Sequence, residues 1–302
     1  MRALITGGTG FIGSWIAKAL VTEGTDVRVL DINADLAVAS EILGRDAAKV
    51  EFRTGDITNA PALVDAASGC DVLIHLAAIL TPDCQMNPVR GAEICLIGSL
   101  NVFEAARAHG INRLLYMSSA GVFGPADGVT PRPTTLYGAY KLAVEGVARA
   151  YWQDHRIKSV GFRPLVVYGP GRETGLTAGP SLACKAAARG GSYTIPFSGG
   201  TDFVYVEDVA TAYVEAGRLP RDGAHVYNIV GETGTAEGFA AGVAKVAPGS
   251  SIRAAGPSLP IAPEIEAGPL REDFPAIPRT SIADGITKTV AHYKSRAKDD
   301  VL

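Results

Sequence analysis

The 302-residue chain carries only four cysteines, Cys70, Cys84, Cys95 and Cys184, and no two stand at the spacing of a metal knuckle or a redox pair. Nothing here builds a disulfide scaffold, so a reduced compartment, the cytoplasm, is the expected setting. Charge of one sign is lacking as well. The 28 basic residues meet 31 acidic ones, and a formal net charge of -3 gives no field that would draw a nucleic acid or an anionic membrane. Histidine is scarce: His75, His109, His155, His225 and His292 include no pair at ligand spacing, and no metal is expected. No apolar run reaches membrane-spanning length, and no basic, apolar and small-residue leader opens the chain. These absences leave a protein that handles a small molecule. With 47% apolar and 20% charged residues, the chain has material for one large domain or for two that share a cleft.

What the chain has in quantity is glycine, 35 residues, and short β-branched runs at regular intervals. Ala3 to Thr6, Val27 to Leu30, Val50 to Arg53, Val72 to Leu76, Arg113 to Met117 and Ser159 to Phe162 read as strands; 11–23, 35–43, 61–68, 88–109 and 137–155 carry helical spacing. Strands so uniformly apolar are covered on both faces, which predicts a doubly wound parallel sheet in an α/β fold. After Arg163 the rhythm breaks. Segment 164–180 holds Gly169, Pro170, Gly171, Gly175, Gly179 and Pro180 and reads as an ordered loop leading into a helix at 180–189. Phe203 to Val206 and Val226 to Val230 read as strands, Val209 to Ala216 and Ile282 to Tyr293 as helices, and 247–280 as a proline-rich stretch with little periodicity. The expected organisation is a nucleotide-binding domain over 1–171, to which 201–216 returns, and a smaller α/β substrate-binding domain over 172–302.

Gly7, Gly10 and Gly13 follow the first strand and open a helix near Phe11. Glycines at this spacing allow a tight turn and remove the Cβ atoms that would hold a pyrophosphate away from the helix N-terminus, where free N–H groups favour anions. Asp31 ends the second strand, 18 residues after Gly13, where a carboxylate accepts hydrogen bonds from both hydroxyls of an adenosine ribose. It would repel a 2'-phosphate, and Ile32 and Asn33 bring no cation, so NAD is expected rather than NADP. Asp56 and Ile57 follow the third strand, placed for the adenine amino group and ring.

Tyr137 and Lys141 put a phenol and an ammonium four residues apart on one helix face. A tyrosine titrates near 10 by itself, and a lysine cation and a positive nicotinamide ring would both favour the phenolate. Tyr137 is thereby a candidate general base for oxidation and general acid for reduction, with Lys141 also placed to hold the nicotinamide ribose. Tyr140 points about 100 degrees away around the helix. The strand before this helix ends in Ser118 and Ser119, at the end of the sheet where ligands gather; spacing does not choose between the two.

In its ordered motifs the chain resembles the extended short-chain dehydrogenase/reductases of the NAD-dependent epimerase/dehydratase family. The motifs are Thr6 to Gly13, Gly55 to Ile57, His75 to Ala78, Ser118 to Gly124, Tyr137 to Lys141, Arg163-Pro164 with Tyr168 to Gly171, and Phe203 to Val209, about two thirds of the chain in family order. The resemblance implies a Rossmann-type sheet and NAD held by Gly7, Gly10, Phe11, Ile12, Gly13, Asp31, Asp56, Ile57, Leu76, Ala77, Ala78, Tyr137 and Lys141. It also implies Ser119, Tyr137 and Lys141 as the catalytic set, and a homodimer formed by helices of the large domain.

The departures bear on the substrate. Relatives acting on nucleotide sugars carry Tyr-Phe-Asn where this chain has Arg163-Pro164-Leu165, and an asparagine where Cys95 aligns. Relatives that dehydrate place an Asp-Glu pair where Gly121 and Val122 stand. Thr81, in the loop after the fourth strand, and Arg172, opening the expected small domain, are the candidate substrate contacts; Arg172 either pairs with Glu173 or grips a carboxylate. The expected function is hydride transfer at a secondary alcohol or hemiacetal carbon of a small polyol, sugar, sugar acid or hydroxy acid. The alternatives are a nucleotide-sugar 4-epimerase and a non-catalytic NAD-binding regulatory protein.

Overall fold

The structure, a computed structural model, describes residues 1–125 and 127–299; the last residues of the second expected domain, 300–302, lie outside it. Seven parallel strands form the larger sheet. They are β1 (Arg2–Thr6), β2 (Asp26–Asp31), β3 (Val50–Thr54), β4 (Val72–His75), β5 (Arg113–Met117), β6 (Lys158–Pro164) and, later in the chain, β10 (Ala224–Ile229), in the order β10-β6-β5-β4-β1-β2-β3. The inner strands are buried along most of their length, as the unbroken apolar runs require.

Helices cover both faces: α1 (Phe11–Thr22), α2 (Ala37–Leu43), α3 (Ala60–Ala67), α4 (Thr81–Met86), α5 (Pro88–Ala92), α6 (Gly98–Ala108) and α7 (Leu136–His155). Their starts are written locally. Asn59 accepts from the Ala62 N–H before α3, and Thr135 from the Gly138 N–H before α7, so a side chain satisfies an otherwise orphaned donor. α1 differs, because its cap is Gly10 and no side chain bonds its first turn. From β1 the chain runs outward to β3, then crosses back to β4 and builds the other half. The reversal lies between β1 and β4, and a cleft opens at their C-terminal ends.

The rest of the chain adds β7 (Val166–Tyr168), α8 (Gly179–Ala188), β8 (Ser192–Ile195), β9 (Gly200–Tyr205), α9 (Val206–Arg218), β11 (Glu232–Thr235), α10 (Ala236–Val246), β12 (Ser251–Ala254), α11 (Leu270–Asp273) and α12 (Ile282–Asp299). β11, β9 and β7 make a three-stranded sheet, and β12 pairs with β8 in parallel. Tyr168, Phe203 and Phe239 pack ring against ring at the centre of this part. The returning segment differs from 201–216: Gly200–Tyr205 pairs in the three-stranded sheet, whereas α9 packs on α1 and β10 then joins the large sheet beside β6, as far as Ile229.

Other departures from the sequence reading have local causes. Segment 164–180 is not all loop, because Val166–Tyr168 pairs with β9; three residues are too few to show a period. Thr81 opens a helix rather than sitting in a loop, and that helix buries only Cys84, so no apolar face announces it. The expected helix 88–109 is interrupted by a π-helical turn over Glu93–Ile97. In α10, Ala236, Phe239, Ala240 and Val243 form a plain i, i+3, i+4, i+7 stripe, masked in the sequence by Gly238 and Gly242.

Candidate active site

The cleft at the strand ends has a volume of about 640 Å³ and is lined by residues of the β1, β2, β3, β4 and β5 loops together with Tyr137, Lys141, Arg172 and Leu259 to Ile261. Its floor is a glycine cradle. Gly7 has φ +73, and a Cβ there would lie 2.6 Å from the Ala77 nitrogen; a Cβ on Gly13 would lie 2.5 Å from the Gly7 oxygen. These two glycines let the β1 and β4 loops and the start of α1 close on one another. Gly10 is different. A Cβ there would meet only the Gly7 oxygen, at 3.5 Å, so protein packing does not require glycine at this exposed position. The bare first turn of α1 above it is a seat for an anion. The cradle therefore fits a dinucleotide pyrophosphate.

Asp31 stands at the lip of this cradle. Its Oδ2 accepts from the Thr9 N–H at 3.1 Å and its Oδ1 from the Asn33 N–H at 3.0 Å, which aims the carboxylate along the cleft and leaves lone pairs for ribose hydroxyls. Asp35 lines the same end, so a 2'-phosphate would meet two acids. Asp56 accepts from the Thr58 N–H at 2.8 Å and from Arg90 at 3.3 Å. Burial works against its charged form, but the Thr58 and Arg90 bonds outweigh it and hold the carboxyl below its usual range. Arg90 was not anticipated, since nothing in the spacing brings α5 over β3. Ile57 is buried against Gly98, Phe11 and Ile12 sit at the start of α1, and Leu76, Ala77 and Ala78 carry the chain out of β4 along the cleft.

His75, at the end of β4, lies between the hydroxyls of Thr6 (2.8 Å) and Ser99 (2.9 Å), wholly buried. Burial, with a smaller contribution from Lys141, drives its pKa down to about 3, so the ring is neutral in the fold. Unfolding releases it to its ordinary value. Between about 6.5 and about 3 the unfolded chain then binds the extra proton, and stability falls as the pH is lowered, by about 1.4 kcal/mol per pH unit from this group. Thermal unfolding between pH 7 and pH 4 should show a shallower acid loss in His75→Gln than in the parent; parallel curves would contradict the assignment.

Tyr137 and Lys141 project from successive turns of α7, and Ser118 and Ser119 leave β5 beside them. The two serines part company here. Ser118 is buried and donates to Glu145 at 2.6 Å, whereas Ser119 lines the cleft and accepts from the Gly121 N–H at 3.0 Å. Tyr140 also turns away, donating to the Pro88 carbonyl at 2.9 Å. Lys141 is buried, and its Nζ donates to the Met117 carbonyl at 2.7 Å and lies 5.6 Å from the centre of the Tyr137 ring.

The electrostatics correct one expectation. Burial raises the Tyr137 phenol above its ordinary value, the Cys95 and Cys84 thiols add to the rise, and only Arg172 and the Ser119 hydroxyl pull it down. Lys141 does not bring the phenol below its ordinary value in the protein alone: its ammonium is bonded to the Met117 carbonyl, and burial disfavours its charge. In the protein alone the phenol form is the resting one.

Behind these groups is a support the sequence reading missed. Glu145, one further turn along α7, is buried and takes hydrogen bonds from Ser118 and from both Nε and Nη2 of Arg163. Arg163 in turn lies over the Phe123 ring, 5.0 Å from its centre. The clamp fastens the tip of β5, β6 and the Ser119–Phe123 turn to the helix carrying Tyr137 and Lys141. The i, i+4, i+8 series Tyr137, Lys141, Glu145 was the available signal.

Thr81 lines the cleft from the start of α4, and Arg172 from the loop after β7. Arg172 does not pair with Glu173: that carboxylate is held by Lys185 of α8. Among the described residues no group of three or more His, Cys, Asp or Glu is arranged to hold a metal ion, and no helix is long and apolar enough to cross a membrane.

The pattern of the NAD dependent epimerase/dehydratase family matches residues 3–230. The chain therefore belongs to that family, and NAD is its cofactor. The UDP-glucose 4-epimerase of Mycolicibacterium smegmatis is 29% identical over 99% of this chain and 100% of its own length. A putative UDP-glucose 4-epimerase of Methanocaldococcus jannaschii is 32% identical over 70% of this chain and 72% of its own. Among solved structures, the Thermus thermophilus UDP-glucose 4-epimerase in complex with NAD has a TM-score of 0.83 at 28% identity, covering 97% of this chain and 99% of that one.

Proposed function

We propose that the chain is an NAD-dependent sugar 4-epimerase, which oxidises a secondary carbinol of a nucleotide-linked sugar and reduces it again with the opposite configuration. The observation that carries this reading is the meeting of Ser119, Tyr137 and Lys141 with the glycine cradle and Asp31 in one cleft. Likeness to 4-epimerases over the full length of the chain supports epimerisation over the net oxidation of a small sugar or hydroxy acid that the sequence led us to expect. A catalytic set of this kind also argues against a purely regulatory NAD-binding protein.

NAD, when bound in the cradle, supplies an acceptor for the hydride and a positive ring beside the phenol. The chain's own residues do the rest. Ser119 holds the substrate hydroxyl; Tyr137 removes its proton in the oxidising step and returns it in the reducing one; Lys141 orders the cofactor ribose. Since burial favours the phenol, Tyr137 is set as an acid until the oxidised cofactor's charge draws its pKa down. Glu145 and Arg163 keep the serine and tyrosine elements in register. Thr81, which lines the cleft, is assigned to the sugar.

We take the working protein to be a cytoplasmic homodimer that binds no nucleic acid, a reading supported by its near-balanced charge, its free cysteines and the exposed Met86, Val89 and Ile97 on the helical run beside α6. The functional test is product analysis with UDP-glucose and NAD. The 4-epimer should appear with no net reduced cofactor. Accumulation of reduced cofactor would establish a dehydrogenase instead, and NAD binding without conversion of any nucleotide sugar or sugar acid would refute both.

A further inference from the structure

The cations on the cleft wall differ in what neutralises them. Arg90 lies between Asp56 and Glu93, and Lys141 is committed to the Met117 carbonyl. Arg172 has neither arrangement. Its Nη2 donates to the Thr177 hydroxyl at 2.7 Å, its Nε is sealed from solvent with no acceptor, and no described carboxylate lies within 4 Å of it. The adjacent acid, Glu173, is drawn off by Lys185.

A half-buried guanidinium without a counter-charge is costly to the fold, and burial pulls its pKa down to about 10. The Arg172 guanidinium lies 5.7 Å from the centre of the Phe11 ring, at the start of α1, and close enough to Tyr137 that each affects the other's titration. Its nearness to Tyr137 puts it at the reacting end of the cleft.

We propose that Arg172, with Thr177, receives the carboxylate of a sugar acid whose reacting hydroxyl is held at Tyr137. This rests on the reading of Tyr137 as the proton-transfer group. The placement favours a carboxylate on the sugar itself over the diphosphate of a nucleotide sugar. A carboxylate one carbon from the reacting carbinol reaches Arg172 and Tyr137 together, whereas the diphosphate is separated from that carbinol by the sugar ring. The chemistry agrees: Nε is sealed and Nη2 is bonded to Thr177, and the remaining guanidinium N–H groups give charge-assisted hydrogen bonds to a single carboxylate.

The test compares UDP-glucuronate with UDP-glucose in the NAD-loaded protein, by initial rates and by calorimetric binding. The parent should prefer the uronate by about 100-fold in kcat/KM, the worth of one buried charge pair. Arg172→Gln should remove that preference through KM, with a loss for the neutral sugar at least tenfold smaller, and Arg172→Lys should restore only part of it. Equal losses for both sugars, or a parent that prefers UDP-glucose, would overturn the proposal. Calorimetry separates the two readings: Arg172-dependent binding of the uronate without turnover sustains this inference and sinks the epimerase, while turnover indifferent to Arg172 does the reverse.

Discussion

Tyr137→Phe should lower turnover by about a thousandfold while the protein still binds NAD, because it removes one oxygen and nothing that forms the cradle. The size of the effect follows from the site. Ser119 accepts and donates hydrogen bonds but is a poor proton acceptor, Lys141 is occupied by the Met117 carbonyl, and His75 is sealed between Thr6 and Ser99. None of these three groups is placed to replace the phenol. Tyr140 is committed to Pro88 and cannot substitute without unwinding the first turn of α7. NAD titration by fluorescence, run beside steady-state rates, separates binding from chemistry. Unchanged turnover would remove Tyr137 from the mechanism, and a matching loss of NAD affinity would show that it serves the cofactor first.

The second large effect belongs to the cradle, and here two glycines should behave differently. Gly7→Ala places a methyl group 2.6 Å from the Ala77 backbone nitrogen, in a left-handed conformation that L residues rarely adopt, so the β1 and β4 loops must separate. The variant should lose several kcal/mol of stability, on the order of 3, together with measurable NAD binding. Gly10→Ala meets only one oxygen at 3.5 Å and should unfold at nearly the parent temperature, yet bind NAD at least tenfold more weakly, because its methyl group occupies the seat of the pyrophosphate. Thermal melts and NAD titrations on the pair check both statements. Equal destabilisation by the two changes, or full NAD affinity in Gly10→Ala, would show that the cradle is a packing device.

Much of this was legible because it is local. The strand runs, the Gly7–Gly10–Gly13 spacing, Asp31 at a strand end and Tyr137 four residues before Lys141 each depend on neighbours within one or two elements. The regions read less well depend on partners far along the chain. Val166–Tyr168 is a strand only because β9 lies beside it, and Ala224–Ile229 belongs to the large sheet only because β6 offers an edge after a long excursion. The same holds inside the site. Ser118 and Ser119 are equivalent in spacing and separate only when Glu145 takes one of them. How far the phenol is raised in the protein alone was not legible, since spacing fixes a distance along a helix but not what the ammonium turns toward or how deep the pair is buried. Arg172 and Glu173 look like partners in sequence, and Lys185, 12 residues beyond Glu173, undoes the pair.

At the centre of the account, substrate hydrogen leaves a carbinol as a proton to Tyr137 and a hydride to the cofactor. The most direct measurement is a single turnover of the NAD-loaded protein with a sugar nucleotide deuterated at its reacting carbon, followed in the absorbance band of reduced nicotinamide. A transient should form, more slowly with deuterium than with hydrogen, and should be lost in Tyr137→Phe. Product that appears with neither a transient nor an isotope effect would contradict it.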